Sequence, residues 1–477
     1  MFDYRSFALR RVASIAPRYL PFADVATKEV PLSRLLRLSL FQVTVGMALV
    51  LLVGTLNRVM IVELAVPASL VAIMLALPLV FAPFRTLIGH KSDVHVSALG
   101  WRRVPFIWKG TMYQFGGFAV MPFALLVLSG YGESLDAPRW IGQASAALAF
   151  LMVGAGVHIV QTVGLALATD LVKKEDQPKV VGLMYVMLLV GMVVSALVFG
   201  ALLENYTPGR LVQVIQGSAV LTIGLNLFAM WKQEPRDRNR ARQMEVSRPL
   251  SFAEAWQNFA SRKGTIRLLA VIGFGTFGYG MADVLLEPYG GQALGMSVAE
   301  TTRLTALLAT GTLIGFGIAS RVLSGSTQPT RLGILGALIG VPGFAAIILS
   351  STGAGAAAFL IGTFATGLGA GLFGHATLTA TMRAAPADQV GLALGAWGAV
   401  QATSAGIGVA LAGIVRDIFM GLPDQAGSAP HTPYNIVFAI EIVFLVFAIL
   451  IALPLAMRRS AQIERSKSET NSVEVSP

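Results

Sequence analysis

The stretch LLAVIGFGTFGYGMADVLLEPYGG, residues 268–291, is apolar for most of one helical span and then carries two carboxylates, Asp283 and Glu287, one turn apart. About 20 apolar residues cross a hydrocarbon core of about 30 Å as a helix, so its first part reads as a membrane span. Runs of the same kind recur at 38–57, 67–89, 104–129, 140–170, 179–203, 210–231, 299–322, 331–350, 355–382, 389–418 and 433–457, and with 265–286 they make twelve. None alternates polar and apolar residues as barrel strands do. With 55% hydrophobic residues, 13% charged residues and a mean hydropathy of +0.69 over 477 residues, the chain reads as an all-α integral membrane protein of twelve transmembrane helices.

The net charge of +11 is explained by where the cations fall. With both termini in the cytoplasm, about 30 of the 36 Lys and Arg lie on cytoplasmic segments, while Arg58, Arg139, Arg210, Arg303 and Arg416 lie outside. A basic inner face suits anionic lipid headgroups, so membrane lipids are the expected partner of this charge and nucleic acid is not. The absence of cysteine excludes disulfides, iron–sulfur ligation and thiol catalysis in this chain. No short apolar core with a small-residue cleavage site precedes the first span, so no signal peptide is expected to be removed.

Residues 232–264 form the longest polar connection and divide the chain. The expected organisation is a cytoplasmic segment 1–37, a six-helix half 38–231, the linker, a second half 265–457 and a tail 458–477. Within the linker, KQEPRDRNRARQ reads as a solvated charge run. SFAEAWQNFA offers Ser251 and Glu254 as a capping box and puts Phe252, Trp256 and Phe259 on one face, for a helix in the interface or packed under the bundle. The halves echo each other: LATDLVKKEDQPKVVGL (167–183) matches LTATMRAAPADQVGL (378–392), and VMIVEL matches DVLLEP, pairing Glu63 with Glu287. Two such halves resemble the major facilitator superfamily, in which the first, fourth, seventh and tenth helices line a central cavity. Gly89, Asp93, Gly100, Arg102 and Arg103 resemble its conserved loop after the second span, although four extra residues separate Asp93 from Gly100; the alternative is a plain positive-inside anchor. Pairs such as Gly311/Gly315, Gly336/Gly340 and Gly367/Gly371 read as close helix contacts.

Polar side chains inside spans are costly and so become candidates. Asn57, Arg58 and Glu63 lie toward the outer end of the first span; His158, Gln161, Thr162 and Asp170 lie on the fourth, Thr276, Tyr279, Asp283 and Glu287 on the seventh, and His375 and Thr379 on the tenth. Each has a structural alternative: the histidines as hydrogen-bonding glue between helices, Asp283 as a partner of Arg58, and Glu287, just before Pro288, as the end of a helix. No phosphate loop, no His-Glu-x-x-His and no dinucleotide-binding glycine set between a strand and a helix is present, so the chain is not expected to be an enzyme.

TLNRVMIVELAVPA (55–68), GHKSD (89–93), LGWRRVPFIW (99–108), GVHIVQTVGLALATDLV (156–172) and GTFGYGMADVLLEPYGGQALGMSVAETTRLTAL (275–307) together resemble one branch of the facilitators, the PucC-type or bacteriochlorophyll delivery family. The similarity spans about residues 30 to 457. Within the family, the segment RRVASIAPRYLPFADVATKEVP is more similar to LhaA-type proteins of the core antenna than to the peripheral-antenna type. The resemblance implies an assembly factor of the bacterial core light-harvesting antenna in the inner, intracytoplasmic photosynthetic membrane. It would bind bacteriochlorophyll as cargo, taken from its synthase, and deliver it to antenna polypeptides. His158, Gln161 and His375 are ligand types that suit the chlorin magnesium, and Phe277 and Tyr279 are rings that could stack on the macrocycle. A proton-coupled secondary transporter of a small molecule or lipid, working through Asp283 or Glu287, is the competing expectation.

Overall fold

A computed structural model describes residues 22–27, 29–80, 88, 92, 100–130, 137–173, 176–234, 257, 260–262, 264–323, 327–352, 355–384, 390–421 and 430–473. Among them every regular element is helical, and twelve helices stand where twelve spans are expected. They are α1 (Leu32–Glu63), α2 (Ala68–Val80), α3 (Val104–Ser129), α4 (Arg139–Asp170), α5 (Gln177–Leu202), α6 (Pro208–Met230), α7 (Thr265–Leu294), α8 (Val298–Leu323), α9 (Pro329–Leu349), α10 (Gly355–Ala384), α11 (Val390–Met420) and α12 (Thr432–Val473). Eleven are long and apolar enough to cross a membrane, and α2 is the shorter one among the described residues. Most of the linker helix expected at 251–260, and Asp93 with its loop, lie outside the described residues.

Local chemistry sets the helix ends. Thr207 accepts the Arg210 N–H at 3.1 Å, and Pro208 opens α6 where a missing N–H costs nothing. Helix α3 is capped from a distance: Glu234, just past α6, accepts the backbone N–H groups of Arg102, Arg103 and Val104 at 2.8 to 3.0 Å. A carboxylate there satisfies donors that the helix start leaves orphaned and sits at the positive end of the dipole.

The glycine pairs do what their spacing predicts. A Cβ on Gly311 or Gly315 would strike the α10 backbone at Phe364 and Leu368, and one on Gly367 would strike the Leu308 carbonyl, so α8 and α10 pack backbone to backbone. Gly336 meets Gly369 and Phe373 in the same way across α9 and α10. In the first half, a buried polar relay ties three helices, with Thr44 Oγ1 donating to Asn226 Oδ1 at 2.9 Å and Asn226 Nδ2 donating to Thr111 Oγ1 at 2.9 Å. The halves meet where α2 packs on α11 and α5 on α8. A Cβ on Gly413 would run into Ala68 and Ala72.

Helix α7 departs from expectation. It is broken at Met281 into Thr265–Gly280 and Ala282–Leu294, and its second part continues through Pro288 in place of ending before it. Proline at 288 has no N–H to give the carbonyl of Val284, four residues back. Asn57 Nδ2 of α1 donates to that carbonyl at 2.7 Å. The helix therefore tolerates its proline because a side chain from the other half supplies the missing donor.

Candidate functional site

At the end of the bundle away from the basic loops, α1 is wound as a π-helix over Val50–Leu56 and Val59–Glu63. In that winding, residues five apart share a face, which brings Glu63 over Arg58; their side chains form a salt bridge. Arg58 is 3% exposed and also donates to the Met296 carbonyl at 3.0 Å, with its guanidinium resting on the bare backbone of Gly291. Glu287 is buried beside it and accepts the Thr305 hydroxyl, while Thr55 and Thr302 bond across α1 and α8 at 3.2 Å. Asn57, Arg58, Glu63 and Glu287 thus form one cluster that joins the halves. The structural alternative for Asp283 is corrected: Arg58 pairs with Glu63, and Asp283 forms no ion pair among the described residues. Glu287 is likewise no helix terminus, since it lies inside Ala282–Leu294.

At the same end, Arg416 is 7% exposed, not free in a loop. It donates to Gln292 Oε1 at 2.6 Å and to Asp417 Oδ1 at 2.7 Å, and the other Asp417 oxygen accepts the Ser69 N–H at 2.7 Å. A residue of α11 therefore caps the first turn of α2, a second polar tie between the halves.

The basic end is held differently. Arg102 Nη2 and Arg103 Nε donate to Asp170 Oδ2 at 2.7 and 3.1 Å, and Arg103 Nη1 donates to Ser92 Oγ at 2.6 Å. These three candidates form a lock within the first half, between the start of α3 and the end of α4.

Of the pigment-ligand candidates, His158, Gln161 and Thr162 lie half-buried on one face of α4, opposite the buried Val157, Val160, Val163 and Gly164. His375 is 8% exposed on α10, and its Nδ1 has no hydrogen-bond partner. Its imidazole lies 4.3 Å, ring centre to ring centre, from Phe316 of α8 and 5.9 Å from Phe22 of the N-terminal segment. A buried imidazole nitrogen with nothing to bond, set among rings, fits the single axial ligand that a chlorin magnesium takes. Among the described residues no group of three metal-ligating side chains occurs, and one ligand is all such a pigment needs.

The aromatic candidates are committed elsewhere. Tyr279 donates its hydroxyl to the Gly336 carbonyl at 2.8 Å, and its ring packs on Phe344 and Phe373 against the glycines of α9 and α10. Phe277 packs 4.3 Å from Phe444 of α12. The break at Met281 also splits the expected stripe, turning Tyr279 toward α9 and α10 while Glu287 faces α1 and α8.

Sequence reasoning missed Glu441, which is 0% exposed in the third turn of α12, with no side-chain partner for its carboxylate and the backbone of Ala282 facing it. A lone carboxylate inside NIVFAIEIVFLVF was a readable signal. Gln42 and Gln114, both fully buried, were equally visible. Nothing in the sequence marked Phe22.

With this geometry in place, known proteins give it a family. The profile described as PUCC protein matches residues 55–460. Protein PucC of Rhodobacter capsulatus is 70% identical over 457 residues, covering 95% of this chain and 99% of that protein. Protein PucC of Rhodovulum sulfidophilum is 63% identical over 430 residues, covering 90% and 94%. Both carry the PucC name, and most of the N-terminal segment that suggested the core-antenna type lies outside the described residues. Among solved structures, the nucleoside transporter NupG aligns with a TM-score of 0.66 at 13% identity, over 88% of this chain and 99% of that one, and it shares the fold alone. The chain is a multi-pass membrane protein of the major facilitator fold, and it belongs to the PUCC family.

Proposed function

We propose that this protein is a non-enzymatic assembly factor that binds bacteriochlorophyll and hands it to light-harvesting antenna polypeptides. The single observation that carries the pigment part is His375: a buried imidazole on α10 with an unpartnered Nδ1 beside two phenyl rings. Family membership supports the setting. The two relatives share the PucC name, and the resemblance ties that type to the peripheral antenna, where the N-terminal segment had suggested the core antenna. In this reading the protein sits in the intracytoplasmic photosynthetic membrane with its basic end and both termini in the cytoplasm, where it receives pigment from its synthase. Deleting the gene in a pigmented host tests the role: peripheral antenna complexes fall while antenna polypeptide synthesis and total pigment synthesis continue. Normal antenna levels in the deletion strain remove the proposal, and selective loss of the core antenna moves the recipient.

A second reading, a proton-coupled transporter, is favoured by the buried carboxylates Glu287 and Glu441 inside spans of the second half. Substrate-driven proton flux in liposomes holding the pigment-free protein supports that reading.

A further inference from the structure

The ring site at His375 is occupied by the chain itself. Phe22 precedes the short helix Ala23–Val25 and reaches into the seam between the halves, where its ring lies 6.1 Å from Phe316 at an interplanar angle of 70° and 5.9 Å from His375. On the opposite side the ring lies on Gly182 of α5, where an added Cβ would come within 2.7 Å of its edge. The backbone of Phe22 has φ of +65°, a left-handed conformation that a non-glycine residue adopts only when surrounding contacts hold it there. Those contacts are present. Asp24 pairs with Lys179 of α5 at 3.0 Å, Val25 is buried, and Thr27 and Val30 close a turn, with the Val30 N–H on Thr27 Oγ1 at 3.1 Å and the Thr27 N–H on the Val30 carbonyl at 3.0 Å.

We infer that Phe22 is a tethered plug: it fills a flat-ring binding site built by His375, Phe316 and Gly182, and an aromatic macrocycle must displace it to reach the imidazole. The inference rests on the pigment-binding reading above and adds to it the device that keeps the site closed without cargo. Three features set the class of ligand. The cage presents ring faces and edges, which select a planar aromatic body; Gly182 removes the side chain that would narrow the gap; and the unpartnered Nδ1 offers a lone pair or a proton and no charge partner. The plug sits between one and three turns from the basic ends of α5, α8 and α10, so its withdrawal exposes the ring site from that side. A phenyl ring held by tilted contacts and one exposed salt bridge is weak enough for a larger ring to replace.

The chain has no cysteine, so one placed at 375 reports on the plug without pigment. In His375→Cys protein, N-ethylmaleimide is expected to alkylate the thiol on the order of tenfold faster when Phe22→Ala is added, from the loss of one or two aromatic contacts. Gly182→Ala, which pushes the ring out from the other wall, is expected to act in the same direction with Phe22 intact. Phe22→Leu, which keeps an apolar group in the gap, gives a smaller increase and guards against a general loss of folding. Equal alkylation rates in all four proteins overturn the plug. With His375 restored, Phe22→Ala and Gly182→Ala proteins purified from pigmented cells are expected to carry more bacteriochlorophyll per chain than wild type. Pigment bound equally by all three overturns the competition while leaving the pigment-binding reading standing. Pigment on none of them, with fast alkylation of the Phe22→Ala protein, overturns the assigned ligand and that reading together.

Discussion

Replacing Asn57 by Ala isolates the bond that lets α7 keep its proline. Pro288 leaves the Val284 carbonyl without its helical donor, and Asn57 Nδ2 supplies one at 2.7 Å from a fully buried position. Removing the amide orphans a carbonyl in the membrane interior, where no water replaces the donor. Leaving such a group unsatisfied costs about 1–3 kcal/mol, and the average net worth of a side-chain hydrogen bond in a membrane bundle, about 0.6 kcal/mol, gives the lower bound. A value near 1.5 kcal/mol is expected for Asn57→Ala in the natural background. In Pro288→Ala the backbone N–H at 288 returns to the Val284 carbonyl, so the same amide deletion should cost only about 0.5 kcal/mol there. The double-mutant cycle therefore predicts a coupling of about 1 kcal/mol between residues 57 and 288. Reversible unfolding in mixed micelles with increasing denaturing detergent measures all four proteins. Strictly additive losses would refute the argument that asparagine compensates for proline.

Other consequences follow from the same geometry. Glu234→Ala strips the cap from three N–H groups of α3, at a cost of about 1–2 kcal/mol; amide exchange in a peptide spanning residues 100–108 should speed up on the order of tenfold or more, and unchanged protection contradicts the cap. Arg58→Ala leaves Glu63 and buried Glu287 without their cation and is expected to lose about 3–5 kcal/mol, whereas Glu63→Gln, at a side chain 38% exposed, loses under about 1 kcal/mol; equal losses by thermal unfolding contradict the cluster as drawn. Gly311→Leu forces α8 off α10 at Phe364 and should lower stability by about 1–3 kcal/mol or more, while Gly317→Leu, with open space at its Cβ, should not. Tyr279→Phe removes the bond to the Gly336 carbonyl and should lower stability by about 0.6–1 kcal/mol with no change in pigment content, since the ring belongs to a helix contact; loss of pigment in this variant contradicts that assignment.

The spans were legible because the bilayer imposes length and hydropathy on every crossing helix, and α3 runs over the very residues, 104 to 129, that the apolar run marks. Glycine spacing likewise told where helices touch, because a small residue every fourth position leaves a stripe that only a neighbouring backbone fills. The course of α7 was not legible. Pro288 reads locally as a helix end, and only the distant Asn57 makes the continuation affordable. The partner of Arg58 was misread for a related reason: in an ordinary helix a residue five positions on points away, and the π-helical winding that brings Glu63 over Arg58 has no local mark. Glu441 could have been found and was passed over. Phe22 could not, since a single phenylalanine between two prolines in a basic segment carries no sign that it inserts between halves joined more than 150 residues later.

The most direct test of the account is the absorption spectrum of the protein purified from pigmented cells, wild type beside His375→Ala. Bacteriochlorophyll should co-purify with the wild-type chain and fall in His375→Ala, while His158→Ala keeps more of it. A wild-type chain that purifies without pigment, or one whose pigment survives His375→Ala unchanged, contradicts the proposal that this imidazole holds the cargo.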